Sequence, residues 1–461
     1  MYENGVCERV RCRPWEYDRM LKVSCQNDLI DWGNMNILQS CSIPTEYSIL
    51  FLESSPPGPE SLAKLNPSHI EQSDDGEWRV KFDSLKGCEV LILCDADPSV
   101  DLRGETQFSP GLSDKEKERI GCSKSRWHVM IDPGTGPLLK TRKSILIALG
   151  QLLKADRTSV GVYAVDSFRV WPISAIADEL KTKADVDIDS LYITHAVLSP
   201  DGSKWIHTHG LAALGGFDID FINPSDEMYD SMNALIRAMV FAILEGGLGN
   251  DDPMHYIAEP GGLIRTVPVE KFEQVAKTKF REIRGSDAAH VADRSVVCEP
   301  RKGKKLFGLL KEVVEPSKFV RFGSSDNLVF AYSKTTSDIL AQRAQETYPI
   351  LVKAMQEFES LGLPVMVKVA CPVDSGEGDE HIWFSVHNAD QNGIDATCIN
   401  QPYDVPNLHE GDRGRYGVGQ ITEWNMQTPL GTLSPSELGM IRTIKANREE
   451  IGRLMQEYGK K

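Results

Sequence analysis

The sequence has no apolar run that approaches the roughly 20 residues needed to cross a bilayer. Its longest candidate is Met239 to Leu244. The ten cysteines include no C-x-x-C pair, so the spacing of a zinc ribbon or a redox motif is absent. The first residues lack the basic and apolar segments of a signal peptide. We therefore expect a soluble, cytoplasmic protein whose cysteines are thiols.

Common catalytic signatures are also missing. The sequence contains no G-x-S-x-G elbow, H-E-x-x-H pair, EF-hand loop or kinase signature set. The nearest approach to a phosphate loop is Gly134 to Thr141, which lacks the glycine before the lysine. Pro137 also removes one backbone N–H that a phosphate would need. The segment therefore predicts a turn after a strand.

Basic residues are too few to balance the acidic ones. The net charge is −16, and a surface of that sign repels nucleic acids and anionic membranes. A basic cluster at 301–305 is short and predicts a solvated connector. The expected partner is an unidentified protein or small ligand, and a basic one suits the charge. Oligomeric state is not predicted.

The 461 residues exceed what one hydrophobic core usually serves, so we expect two domains. Residues 1–46 show no periodic apolar pattern. This segment is expected to be either a loosely packed extension or the result of a translation start assigned too far upstream. In the second case residues 1–34 are not native and Met35 is the initiator. An α+β domain follows at 47–295, a linker and lead-in at 296–330, and a smaller domain at 331–461.

Strand and helix patterns mix without strict alternation, which favours an α+β fold. Apolar runs predict strands at 47–52, 90–94, 127–131, 161–165, 191–197, 364–370 and 381–387. A stripe of apolar residues predicts a helix at 225–245, ended by Gly246 and Gly247. A second helix is predicted at 337–358 with an interruption at Pro349, and a capping box at 434–437 predicts the start of the last helix.

The segment 204–211 carries the most suggestive chemistry. On a strand, alternation places Trp205, His207 and His209 on one face. Asp218 and Asp220 follow with the same spacing. Two histidines and a carboxylate are ligands that zinc or non-haem iron accepts, so a divalent metal is the one cofactor that the pattern admits.

Spacing does not identify a third histidine ligand, since His128 and His195 both lie near predicted strands. A structural interpretation competes with the metal site. Histidines beside a tryptophan are often half-buried groups bonded to backbone, and an Asp-x-Asp run is often a solvated strand face. Both interpretations remain open at this point.

The C-terminal part contains an ordered set of short motifs. They are the helix 341–358, the strand 365–369, Glu380-His381-Ile382-Trp383-Phe384, Asn400-Gln401-Pro402, Leu408-His409-Glu410-Gly411-Asp412 and Ile421-Thr422-Glu423-Trp424. This set resembles the bacterial YegJ-like domain family, domain of unknown function 2314. Glu423 departs from it, because such domains more usually carry aspartate before the tryptophan. The N-terminal domain resembles the uncharacterised family 4026 through 205–211. Neither resemblance implies a known reaction.

For the C-terminal domain we expect a small curved sheet or partly open barrel flanked by helices. Its binding candidates are Glu380, His381, Trp383, Asp412 and Trp424, placed around a shallow groove. The alternative is that both tryptophans are core aromatics.

The sequence predicts a non-catalytic binding or interaction protein, regulatory or protective in role, more readily than an enzyme. This prediction depends on the missing nucleophile, phosphate loop and cofactor motif, and on an acidic surface suited to a basic partner. The rival hypothesis is a metal-dependent hydrolase that uses His207 and His209.

Overall fold

The structure is a computed structural model. It describes residues 36–40, 43–58, 60–72, 78–82, 89–95, 102, 104, 106, 112–228, 231–259, 262–284, 293–300, 314–319, 329–330, 332–374 and 378–458. The predicted basic connector and most of the predicted N-terminal extension, including the alternative start at residue 35, lie outside this set.

Seven antiparallel strands form sheet 1. They are β1 (Thr45–Phe51), β2 (His69–Gln72), β3 (Trp78–Lys81), β4 (Glu89–Asp95), β5 (Ser125–Asp132), β6 (Ser159–Ala164) and β7 (Arg169–Pro172). Their order across the sheet is β2-β3-β4-β5-β1-β6-β7. Four helices with described bounds belong to the same part of the chain: α1 (Glu60–Ala63), α2 (Asp114–Gly121), α3 (Leu138–Leu152) and α4 (Ile173–Lys181).

The core of sheet 1 lies against α3. The apolar stripe of this helix, including Ile145 and Leu149, packs with Ile49 and Val129 of the central strands. The predicted turn before α3 is present: Gly134 has a φ of 70°, and its N–H donates to the Asp132 carboxylate. Alternation along the strands and a 3.6-residue stripe on the helix together account for this layer.

Sheet 2 also has seven strands. They are β8 (Ile193–Leu198), β9 (Lys204–His209), β10 (Asp218–Ile222), β11 (His255–Glu259), β12 (Gly262–Pro268), β13 (Arg294–Cys298) and β14 (Val329–Phe330). Their order is β14-β11-β12-β13-β10-β9-β8, and only the pair β10–β13 is parallel. Sheet 2 therefore exposes β8 as an edge strand.

Helices cover both faces of sheet 2. One face packs on α5 (Met232–Leu244), and the other packs on α6 (Val269–Val275) and α7 (Thr278–Ile283). At the end of α5, Gly246 takes the left-handed conformation, with a φ of 74°. Ile37 and Leu38, from the predicted extension, are buried in the core beside α5, and their N–H groups donate to the Leu244 carbonyl.

The start of the predicted linker forms strand β13. Arg294–Cys298 lies between β10 and β12, and all five residues are buried. Val296, Val297 and Cys298 form a short apolar run that fills an inner position of the sheet. Sheet 2 therefore includes the first residues of the predicted linker, up to Cys298.

Sheet 3 has six antiparallel strands. They are β15 (Val365–Pro372), β16 (Asp379–Asp390), β17 (Gly393–Cys398), β18 (Arg413–Gly417), β19 (Ile421–Thr428) and β20 (Gly431–Leu433). Their order is β18-β17-β16-β15-β19-β20, so the sheet is open and does not close into a barrel. One face packs on α8 (Lys334–Glu357), α9 (Met440–Ala446) and α10 (Arg448–Tyr458).

Helix α8 corrects one sequence prediction, because it runs through Pro349 without interruption. Pro349 is exposed, while Tyr348 and Leu351 on either side of it are buried in the core of sheet 3. Proline removes one helical hydrogen bond, and the packing of both halves on the same sheet compensates for that loss.

The start of the last helix also differs from the prediction. The Glu437 N–H donates to the Ser434 hydroxyl as a capping box would have it, but the helix begins only at Met440. The Pro435 carbonyl accepts two hydrogen bonds from the Arg343 guanidinium. This contact with α8 holds the segment outside the helix.

Within the described ranges the chain has ten α-helices and three open, largely antiparallel sheets, so the predicted α+β class is confirmed. None of these helices combines the length and the apolar character that a membrane span requires.

Candidate metal centre

Three histidines meet on neighbouring strands of sheet 2. His207 and His209 lie two residues apart on β9, and His195 on β8 is the cross-strand partner of His207. The centroids of the three rings are 4.9 to 5.5 Å apart. One nitrogen from each ring lies within 4.8 Å of the nitrogens of the other two. We call His195, His207 and His209 the histidine triad.

Aromatic rings cover two members of the triad. The Trp205 indole stacks on the His207 ring with 3.9 Å between the ring centroids, and the Phe168 and His209 rings form a T-shaped pair with 4.7 Å between their centroids. His207 and His209 are 2% and 4% exposed. His195 is half-buried on the edge strand β8. Solvent therefore reaches the triad from the side of β8.

The two predicted carboxylate ligands face other groups. Asp218 accepts hydrogen bonds from the Thr208 hydroxyl at 2.8 Å and from two backbone N–H groups at 3.3 Å. Burial raises the pKa of Asp218, although the Arg294 guanidinium and the Thr208 hydroxyl act in the opposite direction. Asp218 thus stabilises the turn that follows β9.

Asp220 is the acceptor of a buried arginine pair. Arg284 Nε donates to it at 2.7 Å, Arg294 Nη1 at 2.8 Å and the Trp205 indole N–H at 3.2 Å. Both guanidinium groups and the carboxylate have at most 2% side-chain exposure. Among the described residues, the group that could hold a metal ion therefore consists of the three histidines, without the two aspartates.

Arg294 also contacts the triad itself. Its Nη2 donates to the Thr208 carbonyl at 2.7 Å and to His209 Nδ1 at 3.4 Å. No spacing in the sequence predicted Arg284 or Arg294 as neighbours of Asp220, because they follow it by 64 and 74 residues. A carboxylate inside the apolar segment 217–222 was the only available signal, because a buried carboxylate requires donors.

Of the two candidates for a third histidine, the structure places His195 in the triad. His128 lies on β5 of sheet 1, where its Nδ1 is 3.5 Å from the Glu46 carboxylate. The pairing of β8 with β9 brings His195 next to His207, and the spacing of the histidines in the sequence does not predict that pairing.

The two tryptophans among the C-terminal candidates occupy different environments. Trp424 is fully buried, and its indole N–H donates to the Ala344 carbonyl and the Thr347 hydroxyl, both at 3.1 Å. It is therefore a core aromatic packed on α8 and offers no surface to a ligand. Trp383 is half-buried, and the Lys368 ammonium lies 5.0 Å from its ring centroid.

The polar C-terminal candidates mainly hold turns. The Glu380 carboxylate accepts hydrogen bonds from the N–H groups of Tyr403 and Asp404 at 2.9 to 3.0 Å. Asp412 accepts one from the His409 N–H at 2.8 Å. His381 is exposed, and its Nδ1 lies 3.0 Å from the Thr422 hydroxyl.

Two family models match separate parts of the chain. Residues 194–295 match the C-terminal model of a protein of unknown function, DUF4026. Residues 338–442 match DUF2314, an uncharacterized protein conserved in bacteria. Both resemblances are thus confirmed, with the correction that the first covers most of sheet 2, from β8 to the start of β13, with the whole histidine triad, and leaves sheet 1 outside. No curated protein and no solved structure matches the chain.

Proposed function

We propose that this chain binds a divalent transition metal ion through His195, His207 and His209. The observation that carries the proposal is the approach of three imidazole nitrogens to within 4.8 Å of one another. A tetrahedral zinc ion with Zn–N bonds of about 2.0–2.1 Å separates its ligand nitrogens by about 3.3 Å. To bind the ion, the ring nitrogens therefore have to approach one another by up to about 1.5 Å. Imidazole ligands suit zinc, copper, iron and nickel, and we take zinc as the test ion.

We further propose that the bound metal serves binding and not catalysis. Trp205 and Phe168 cover two of the three rings, which restricts the room for a substrate. In many metal-dependent hydrolases a nearby base also accepts a proton from the metal-bound water. The nearby carboxylates of Asp218 and Asp220 already accept hydrogen bonds from protein groups. The net charge of −16 makes a basic protein the partner class that the long-range field favours.

A metal-dependent hydrolase is the second candidate, and one observation favours it. Three protein ligands leave a fourth coordination position for water, which is the usual arrangement of catalytic zinc sites. His195 gives that position a path to solvent, since it is half-buried on an edge strand.

Metal analysis of the full chain, purified without an affinity tag, tests the proposal. We expect about one equivalent of zinc in the wild type, and loss of that metal in His195→Ala and in His207→Ala. His128→Ala is the matched control, because this histidine lies in sheet 1 and contacts Glu46. Metal binding that is absent from the wild type, or that survives both triad substitutions in folded protein, would contradict the proposal.

A second experiment separates binding from hydrolysis. Zinc-loaded protein is incubated with p-nitrophenyl acetate and bis(p-nitrophenyl) phosphate, and the rate is compared with that of His207→Ala. Equal rates are expected for a non-catalytic site. A rate that depends on both the metal and His207 would establish the hydrolase in its place.

A further inference from the structure

We infer that Arg294 and the metal ion are alternative hydrogen-bonding and coordinating partners of His209, so that Arg294 limits the metal affinity of the histidine triad. This inference rests on the proposed metal binding and adds a residue that sets its strength. Arg294 lies on β13, two strands away from the nearest triad histidines, and reaches them across β10.

The contact between Arg294 and His209 fixes the proton of the imidazole. A guanidinium group has only N–H donors and no acceptor. His209 Nδ1, 3.4 Å from Arg294 Nη2, must therefore accept the hydrogen bond. A neutral imidazole carries one proton, so in this state that proton is on Nε2.

Metal coordination is incompatible with this hydrogen bond at either nitrogen. If the ion takes the Nδ1 lone pair, the acceptor of the guanidinium is lost. If the ion takes Nε2, the ring proton moves to Nδ1, and two N–H donors then face each other. In both cases the hydrogen bond between Arg294 and His209 must break before the third ligand can bind.

Arg294 cannot easily leave its position. Its Nη1 donates to Asp220 at 2.8 Å and its Nη2 to the Thr208 carbonyl at 2.7 Å. The side chain is 1% exposed, so moving it would leave the Asp220 carboxylate with fewer donors in the interior. The competing donor is therefore held in place, and His209 has to reorient when the ion enters.

Arg284 provides a matched control for the charge of Arg294. It is equally buried and donates to the other oxygen of Asp220 at 2.7 Å. Its second acidic neighbour is Glu273, at 3.2 Å. Substituting Arg284 removes one positive charge beside Asp220 and leaves the donor to His209 unchanged.

The test measures zinc affinity by competition with a chelating dye, using full-length protein stripped of metal. We expect Arg294→Met to bind zinc more tightly than the wild type by about tenfold or more, since hydrogen bonds to charged groups have that strength. Arg284→Met should change the affinity much less.

The outcomes distinguish the inference from the proposed function. Zinc binding by the wild type with equal affinities in the two methionine variants would overturn the inference and leave the metal site standing. No zinc binding by the wild type, by Arg294→Met or by Arg284→Met would overturn the proposed function as well.

A measurement on the metal-free wild type does not depend on the variants folding: nitrogen-15 NMR of the histidine ring should show His209 protonated on Nε2. Protonation on Nδ1 would overturn the inference.

Discussion

Asp166 is a carboxyl group in surroundings that favour its protonated form. It lines a small cavity between sheet 1 and the end of β9, together with Arg142 and Tyr47. Burial raises its pKa to about 6, and the Glu46 carboxylate adds to this effect while Arg142 opposes it. The usual value is 3.8. The native chain therefore holds this proton more tightly than the unfolded chain does.

We predict that Asp166→Asn changes the dependence of stability on pH. The raised pKa contributes stability below pH 4, and this contribution is lost as the pH rises through 6. The full shift corresponds to about 3 kcal/mol, and we expect about 1–2 kcal/mol because the carboxyl group keeps some contact with solvent. The stability of the variant relative to the wild type should rise by that amount between pH 4 and pH 7.5.

Urea unfolding at several pH values measures this effect. Glu449→Gln, at an exposed position of α10, serves as the control and should leave the difference nearly constant. A relative stability of Asp166→Asn that does not change between pH 4 and pH 7.5 would contradict the assignment of this pKa.

At the scale of single elements, sequence periodicity predicted part of the histidine triad. Alternation along 204–211 placed His207 and His209 on one side of a strand, and their rings lie 4.9 Å apart. His195 could be named only as one of two candidates, because its place depends on the pairing of β8 with β9. The partners of Asp220 could not be predicted at all, since Arg284 and Arg294 reach it from α7's end and from another strand.

Two predictions about helices were wrong for the same reason, because they too depend on contacts between residues that are distant in the sequence. Local rules treat proline as a helix breaker and a capping box as a helix start. In α8 and before α9, tertiary contacts override both rules: Pro349 lies inside a continuous helix, and Pro435 is held by Arg343. Long-range contacts of this kind leave no trace in a local pattern.

We predict that Pro349→Ala stabilises the protein by about 1–3 kcal/mol. The substitution supplies the missing N–H for the Gln345 carbonyl and removes the steric conflict of the proline ring with the preceding turn. Position 349 is exposed, so no core packing is lost. The free energy of unfolding in urea measures the change.

Pro200→Ala is a control that should change the free energy of unfolding in the opposite direction. Pro200 follows Ser199 in a turn whose Gly202 N–H donates to the Ser199 carbonyl, where proline is pre-organised. Its loss should cost about 0.4–1 kcal/mol. A decrease in stability for Pro349→Ala would mean that the proline fits the helix better than alanine does.

At the scale of the whole molecule, a partly buried charge cluster joins the three sheets. Arg237 on α5 lies 3.2 Å from Asp189 and 3.8 Å from Glu423 of sheet 3. Arg343 on α8 donates to both oxygens of Glu179 on α4, at 2.7 and 3.3 Å. The two arginines also flank Asp187, and together they lower its pKa although burial acts to raise it. Charge pairing thus connects parts of the chain that have separate cores, through side chains that range from buried Asp187 to Glu423 with 37% exposure.

We predict that Arg343→Met costs about 3–5 kcal/mol, because removal of one member of a buried ion pair leaves the other charge uncompensated. Glu179 and Arg343 have 10% and 6% side-chain exposure, so water cannot readily replace the lost partner.

Arg453→Met is the surface control: Arg453 pairs with Glu457 on α10 at about 60% exposure, and its loss should cost at most about 0.5 kcal/mol. The unfolding free energy and amide hydrogen exchange in α4 and sheet 3 measure the effect. Adding Glu179→Gln to Arg343→Met should recover part of the loss, since it removes the unpaired charge. A cost below about 1 kcal/mol for Arg343→Met would show that the sheets are held together by their apolar contacts, with the charge cluster as a minor contributor.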